Sequence, residues 1–167
     1  MNRILQLCLF ICALSLVACK NAEKQDTASS DQISQSSSQE PAYPMLPVEW
    51  HNRLYNEAEY LDVIFHNLPF SMNQSERESV QANVTYIGRA PIGSIPSHCK
   101  PIARQFYQIE GEIVIEADIY FTDPCYFYVF IIDGEALYAN RMSETGVQFF
   151  QTTINQALAA SKQIQGQ

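Results

Sequence analysis

Residues 103–140 read "ARQFYQIEGEIVIEADIYFTDPCYFYVFIIDGEALYAN", and their apolar and polar residues alternate with a period of two. This period is typical of β-strands that have one face on a core. Two dipeptides interrupt it, Glu-Gly at 110–111 and Asp-Gly at 133–134, and Asp-Gly between alternating residues is a strong signal for a type I′ hairpin. Thr-Asp-Pro at 122–124 supplies a turn between the two hairpins. The stretch therefore predicts four antiparallel strands in a meander.

Helical periodicity flanks these strands. Residues 48–68 place apolar side chains at steps of three and four, which predicts a helix that ends at Pro69. Ser-Glu-Arg-Glu at 75–78 predicts a capping box that opens a second helix, over residues 75–87. Thr-Gly-Val-Gln at 145–148 predicts a second capping box, which opens a third helix with an apolar stripe over residues 145–163. The predicted fold is α+β, with a four-stranded antiparallel meander sheet packed by two N-terminal helices and one C-terminal helix.

The turn lengths predict which residues share a face of this sheet. Facing residues of an antiparallel pair lie on the same side, and we take two-residue turns at 110–111 and 133–134 and a three-residue turn at 122–124. The predicted core face consists of Phe106, Ile113, Ile115, Ala117, Ile119, Phe121, Phe127, Val129, Ile131 and Tyr138. The other face consists of Tyr107, Val114, Glu116, Asp118, Tyr120, Tyr126, Tyr128, Phe130 and Leu137. One residue more or less in the turn at 122–124 would move every side chain of the last two strands to the opposite face of the sheet.

The second face is the candidate binding face. Glu116 and Asp118 stand two apart on one strand, so their carboxylates point the same way, about 7 Å apart, and could attract a cation. Tyr120, Tyr126 and Tyr128 would add rigid contact area with polar tips. These five residues predict a flat or concave surface for a cationic or sugar-like ligand. The alternative is a sheet surface covered by a linker or helix ends, with Tyr present for its strand propensity.

The chain begins with a short basic start and 14 mostly apolar residues from Ile4 to Val17, too few for a membrane-spanning helix of about 20. This is typical of a secretory signal peptide. Leu-Val-Ala-Cys at 16–19 resembles the lipobox of bacterial lipoproteins, a resemblance that covers the first 19 residues only. It implies cleavage before Cys19, a diacylglycerol on its sulfur, and a further acyl chain, such as palmitate, on the new amino end. An uncleaved anchor and an ordinary signal peptide are the alternatives.

The resemblance also implies a location. An Asp after the lipidated Cys usually retains such a lipoprotein at the inner membrane, and Lys20 stands there instead, which favours the outer membrane with the domain on the periplasmic side. A Gram-positive host is the alternative. Residues 20–46 are rich in Ser and Gln and poor in apolar residues, which predicts a flexible tether. The predicted organisation is a signal peptide at 1–18, lipidated Cys19 with its tether at 19–46, and one domain at 47–167.

Removing the signal peptide and Cys19 leaves Cys99 and Cys125 as a pair. Two thiols in an exported, oxidising compartment predict a disulfide. A catalytic thiol needs a His base, and His98 is a sequence neighbour of Cys99 in poor geometry for that role. A metal site needs three or four ligands, and no such cluster is visible. We predict neither a metal nor a cofactor.

The predicted domain is acidic, with 14 Asp and Glu against 7 Lys and Arg in residues 47–167. This charge disfavours binding to nucleic acid and to anionic lipid. A cationic protein is a possible partner, and simple solubility is the alternative explanation. There is no nucleophile elbow, phosphate loop or dinucleotide motif. Glu116 and Asp118 have a spacing compatible with glycoside hydrolysis, but strand neighbours usually lie on an open surface.

The sequence thus predicts an outer-membrane-anchored periplasmic lipoprotein that acts as a non-catalytic binding or envelope-accessory module. The first alternative is an inhibitor or immunity protein that captures a cationic enzyme. The second alternative is a hydrolase acting on envelope glycans.

Overall fold

The computed structural model describes residues 42–165. The lipobox, Cys19 and the predicted tether as far as residue 41 lie outside this part. Within it, six antiparallel strands and three helices form an α+β fold, which confirms the class and the three helices but not a four-stranded sheet. In chain order the elements are α1 (Val48–Glu57), β1 (Tyr60–Phe65), β2 (Ser71–Gln74), α2 (Arg77–Thr85), β3 (Pro101–Ile109), β4 (Glu112–Thr122), β5 (Cys125–Ile132), β6 (Glu135–Arg141) and α3 (Glu144–Gln165). The strand order across the sheet is β2-β1-β3-β4-β5-β6.

The first predicted helix is too long, because its second half forms β1. Helix α1 ends before Ala58, whose backbone is extended. Leu61 and Phe65 are four residues apart, as a helix requires, but Leu61, Val63 and Phe65 also alternate, and all three are buried in β1. Val63 and Ile64 are β-branched and favour an extended backbone. The spacing of Leu61 and Phe65 fits both a helix and a strand. Burial of Val63 between them on the same face is possible only in a strand, where alternate residues share a face.

The sequence does not predict β2, since its residues Ser-Met-Asn-Gln show no apolar alternation. It pairs with β1 at one edge of the sheet, where a short polar strand discourages pairing with other chains. Helix α2 lies within the predicted range 75–87. Its N-cap is Glu76, which makes no capping bond through its side chain, so the capping box predicted at 75–78 is wrong.

Helix α3 matches its predicted position, with a different cap. Ser143 Oγ accepts the backbone N–H of Gly146 at 3.2 Å, and the Ser143 carbonyl accepts that of Val147 at 2.9 Å. Ser143 therefore replaces the capping box predicted at 145–148. A Cβ at Gly146 would lie 2.7 Å from the Cβ of Tyr86, so glycine permits the close approach of α3 to the end of α2.

The turn between β4 and β5 is one residue shorter than predicted. Thr122 pairs with Cys125, which leaves only residues 123–124 in the turn. A one-residue change of register moves every side chain of a strand to the opposite face. The helix-covered side chains of β5 are Tyr126, Tyr128 and Phe130, and those on the far face are Phe127, Val129 and Ile131. The predicted face of β5 is therefore wrong.

A bulge in β4 has the same effect on β3. The β4 partners of Tyr107 and Gln108 are two residues apart, so Val114 between them is the extra residue of a bulge. Tyr107 is fully buried beneath the helices, whereas Phe106 lies on the far face. The faces predicted for these two aromatic residues are exchanged.

Two apolar clusters lie on opposite faces of the sheet. The larger lies between the sheet and the helices and includes Leu54 of α1, Val84 of α2 and Phe150 of α3, all fully buried. The smaller lies on the far face over β5 and β6, includes Phe127 and Val129, and packs against residues of the α2–β3 loop such as Ile95. The loop thus covers the β5–β6 side of the far face.

The edge formed by β6 is also covered. The backbone N–H of Ala139 donates to the carbonyl of Pro44 at 2.8 Å, and that of Arg141 donates to Ala90 at 2.9 Å. Two chain segments therefore take up hydrogen-bonding groups that an edge strand would otherwise expose.

Residues 43–46, which the sequence assigns to the tether, pack on the domain. The N–H of Leu46 donates to Asn140 Oδ1 at 2.7 Å, and the Leu46 side chain is buried. Tyr43 forms an isolated β-bridge with Gly93. Residues 43–46 are therefore packed on the domain, although the sequence predicts that it begins at 47.

Candidate functional site

The far face of the sheet is open along β1, β3 and β4. Alternate residues of these strands are buried under the helices, so the residues between them point away from the helices. We name these far-face residues the outer patch: Tyr60, Asp62, Ile64, Arg104, Phe106, Gln108, Ile113, Glu116 and Asp118.

Arg104 lies at the centre of the outer patch and binds both carboxylates of β4. Its Nε and Nη2 donate to the two carboxylate oxygens of Asp118 at 2.8 and 3.2 Å, and its Nη1 donates to Glu116 Oε2 at 3.0 Å. The hydrogen bond to Asp118 is the main cause that raises the pKa of Arg104. Two oxygens held by one planar guanidinium fix the geometry of all three side chains. Glu116 and Asp118, which the sequence predicts to attract an external cation, are therefore already paired with Arg104.

Three apolar side chains cross the outer patch in a diagonal. Ile64 is 50% exposed, Ile113 is 53% exposed, and half-buried Phe106 lies between them on the middle strand. Diagonal neighbours on adjacent strands are about 7–8 Å apart, within reach of large side chains. The sequence places Phe106 and Ile113 in the core, and the bulge at Val114 explains why both face outward. Clustered exposed apolar side chains are a feature of interaction surfaces.

The outer patch ends at an acidic edge, which we define as Glu59, Glu110, Glu112, Asp133 and Glu135. Positive φ angles at residues 110–111 and 133–134 confirm both predicted two-residue turns. Glu59 Oε1 accepts the N–H of Gly111 at 3.0 Å, so the α1–β1 link meets the first turn. Residues 109–113 and 132–136 contain no Lys or Arg. Five carboxylates without an interspersed cation create a negative potential at this end of the sheet.

The structure separates the five residues of the predicted binding face. Glu116, Asp118 and Tyr120 lie on the far face, where Tyr120 stacks on Phe127 with ring centroids 4.4 Å apart. Tyr126 lies on the helix side and packs edge-to-face with Phe121, with the two ring centroids 5.1 Å apart.

Tyr128 lies on the helix side as well, and it is fully buried. Burial raises the pKa of its hydroxyl well above the ordinary value, and that hydroxyl has no hydrogen-bond partner among the described residues. The reversed register of β5 thus removes two of the three tyrosines from the predicted face.

The Cys99–Cys125 disulfide is confirmed, with the two Cα atoms 5.9 Å apart. It joins the α2–β3 loop to the first residue of β5. A ring nitrogen of His98 and the two sulfurs lie within 4.8 Å of one another. The sulfurs are bonded to each other, so they do not offer thiolates to a metal ion. The bond serves to hold the loop over the far face.

No helix among residues 42–165 is long and apolar enough to cross a membrane. No family model, no curated protein and no solved structure matches this chain.

Proposed function

We propose that this chain is an outer-membrane lipoprotein whose exported domain binds a basic protein of the envelope through the outer patch, without catalysis. The lipobox at 16–19, with Lys20 after it, supports an anchor on Cys19 and the periplasmic side of the outer membrane. Anchoring raises the local concentration of the domain for a partner in the same layer. Such a module would serve envelope assembly or an accessory role in a larger complex.

The observation that carries the proposal is the diagonal of Ile64, Phe106 and Ile113 beside a fixed ion-pair network. Ile64 and Ile113 are about half exposed, so burying the rest of each side chain in an interface contributes about 0.8–1.5 kcal/mol. Arg104 is held by three hydrogen bonds, so little side-chain entropy remains to be lost there on binding. The patch therefore combines apolar area with polar groups that are already ordered.

The acidic edge indicates the charge of the partner. It continues the outer patch, and on the patch itself Arg104 is the lone Lys or Arg, bound to two carboxylates. Complementary charge steers association and rejects like-charged partners. The same argument supports a second candidate function, an inhibitor that captures a cationic enzyme.

The geometry offers no support for a glycan hydrolase. Such enzymes place two carboxyl groups about 5–9.5 Å apart on either side of a cleft. Glu116 and Asp118 both accept hydrogen bonds from Arg104 and stand side by side on an open sheet. Neither is free to act on opposite sides of a glycosidic bond.

A photo-crosslinking residue at position 64 or 113 of the full chain should give discrete adducts with a basic protein in the envelope of the host. The side chains at these positions are half exposed and central to the proposed contact. The matched control is position 48, since Val48 is 47% exposed but lies on α1. Adducts would be detected by immunoblotting and identified by mass spectrometry.

Charge variants make the test quantitative. Ile64→Lys with Ile113→Lys should weaken capture of the identified partner at least about tenfold, because two apolar contacts of about 0.8–1.5 kcal/mol each are lost. Val48→Lys with Tyr55→Lys adds the same charge to exposed positions on α1 and should leave capture unchanged. Equal adducts at position 48, an acidic partner, or equal loss in both double variants would refute the proposed surface.

The anchor is tested separately through Cys19. Cys19→Ser in the full chain should abolish labelling with radioactive palmitate. It should also prevent cleavage before residue 19, so that the chain keeps the mass of its precursor on an immunoblot. Cys12→Ser, within the signal peptide, is the control and should change neither readout. A labelled, cleaved Cys19→Ser chain would contradict lipidation at this residue.

A further inference from the structure

A solvent-open cavity of about 330 Å³ lies where the α2–β3 loop meets the far face, at the end of the sheet opposite the acidic edge. Its walls come from three separate segments: Tyr43 before α1, residues 95–97 and 99–101 of the loop and the start of β3, and Tyr120 of β4. This volume is at the lower limit of ligand pockets, which suits one ring rather than an extended molecule.

The cavity walls are held in place before any ligand binds. Cys99 lines the cavity and is bonded to Cys125 at the start of β5. Tyr120 is stacked on Phe127, and the N–H of Tyr43 donates to the carbonyl of Gly93 at 3.2 Å. A site whose walls are fixed by covalent and stacking contacts loses little entropy on binding.

The wall chemistry combines aromatic rings with hydrogen-bonding tips. Tyr43 and Tyr120 contribute phenol rings, and their mutual proximity helps to raise the pKa of Tyr120, after the larger effects of burial and Asp118. Ser97 adds a hydroxyl group. Aromatic rings offer an apolar face to the C–H groups of a sugar, while the hydroxyls can bond to its polar edge.

Lys100 sets the charge of the cavity. It lines the wall and forms no ion pair with any carboxylate in the part of the chain that the structure describes. Asp118, whose charge helps to raise the pKa of Tyr120, is bound by both Nε and Nη2 of Arg104. Among the described residues, exposed Lys100 thus lines the same cavity as two tyrosines and has no ion-pair partner, in a domain of net negative charge. Its ammonium group can pair with a carboxylate or phosphate on a ligand.

We propose that this cavity binds a single sugar residue that carries an anionic substituent, with the ring on Tyr43 and Tyr120 and the anion on Lys100. This site is distinct from the protein contact proposed for the outer patch, and neither depends on the other.

The test uses the full chain in a zwitterionic detergent that has no sugar headgroup. Calorimetric titration with N-acetylmuramic acid and with the phosphate monoester of N-acetylglucosamine should detect binding of at least one. Uncharged N-acetylglucosamine should bind at least about tenfold more weakly. Binding of only the carboxylate sugar or only the phosphate sugar supports the site and identifies the source of the anion.

Variants locate the binding. Lys100→Met should lower affinity for the anionic sugars to that for the neutral sugar, and Tyr43→Ala should lower affinity for all three. Tyr43→Phe retains the ring and should keep most of the binding, which separates a lost contact from misfolding. Ile64→Ser, on the outer patch, should change nothing. The site is refuted if neither anionic sugar binds, if the neutral sugar binds as well as they do, or if Lys100→Met and Tyr43→Ala bind like the unmodified chain.

Discussion

Tyr128→Ala should lower the free energy of unfolding by about 3–5 kcal/mol, the usual cost of removing a large aromatic side chain from a core. Tyr128 is fully buried beneath the helices and stacks on Phe130 with ring centroids 5.9 Å apart. Its removal would leave a cavity bordered by rigid strands, which collapse poorly around a void. Urea denaturation of the disulfide-bonded protein, followed by circular dichroism, measures this loss.

Tyr128→Phe is the matched control and should behave in the opposite way. The Tyr128 hydroxyl is buried without a hydrogen-bond partner among the described residues, and an unsatisfied buried polar group costs about 1–3 kcal/mol. Its removal should leave stability unchanged or increase it. The register inferred from the sequence, with Tyr128 on an open face, predicts almost no effect for either change. A loss below about 1 kcal/mol for Tyr128→Ala would contradict the observed register.

Removing the disulfide should have the second large effect. Cys99 and Cys125 are 26 residues apart in sequence, and closing a loop of this length stabilises a fold by about 3.5 kcal/mol through the entropy of the unfolded chain. Cys99→Ala with Cys125→Ala should lower the free energy of unfolding by about this amount. The midpoint of urea denaturation would fall accordingly.

Reduction separates the covalent bond from the packing of the side chains. Both cysteines are buried, so a reductant should act on the unmodified chain mainly once it unfolds. Denaturation under a phosphine reductant should then resemble that of the double variant, and the variant itself should not respond to the reductant. If the double variant is as stable as the unmodified protein, loop closure contributes nothing here.

Local signals in the sequence were enough for the four strands of residues 103–140. Alternation defines each strand, and the two-residue turns require left-handed backbone at 110–111 and 133–134, where the structure has it. The α1–β1 region is different, because the spacing of Leu61 and Phe65 fits a helix and a strand equally. Only the burial of Val63 by distant residues decides between them. The polar strand β2 leaves no periodic signal at all.

The outer patch was only partly predictable for the same reason. Glu116 and Asp118 share a face because they are two apart on one strand, which is a local property. The partner of Asp118 depends on register between strands, and the bulge at Val114 brings Arg104 opposite it. The faces of Tyr126 and Tyr128 depend on one residue in the 122–124 turn. Pairing between strands is decided by packing of the whole core, which no short segment encodes.

The two edges of the sheet favour partner binding on the broad face over polymerisation by added strands. Carbonyl groups of Pro44 and Ala90 accept hydrogen bonds from β6 backbone N–H groups, and β2 forms the opposite edge with only four residues, three of them polar. Neither border is a good template for adding a further strand, the step by which β-proteins grow into fibrils. The domain can therefore present exposed isoleucines on its broad surface without offering an edge for ordered aggregation.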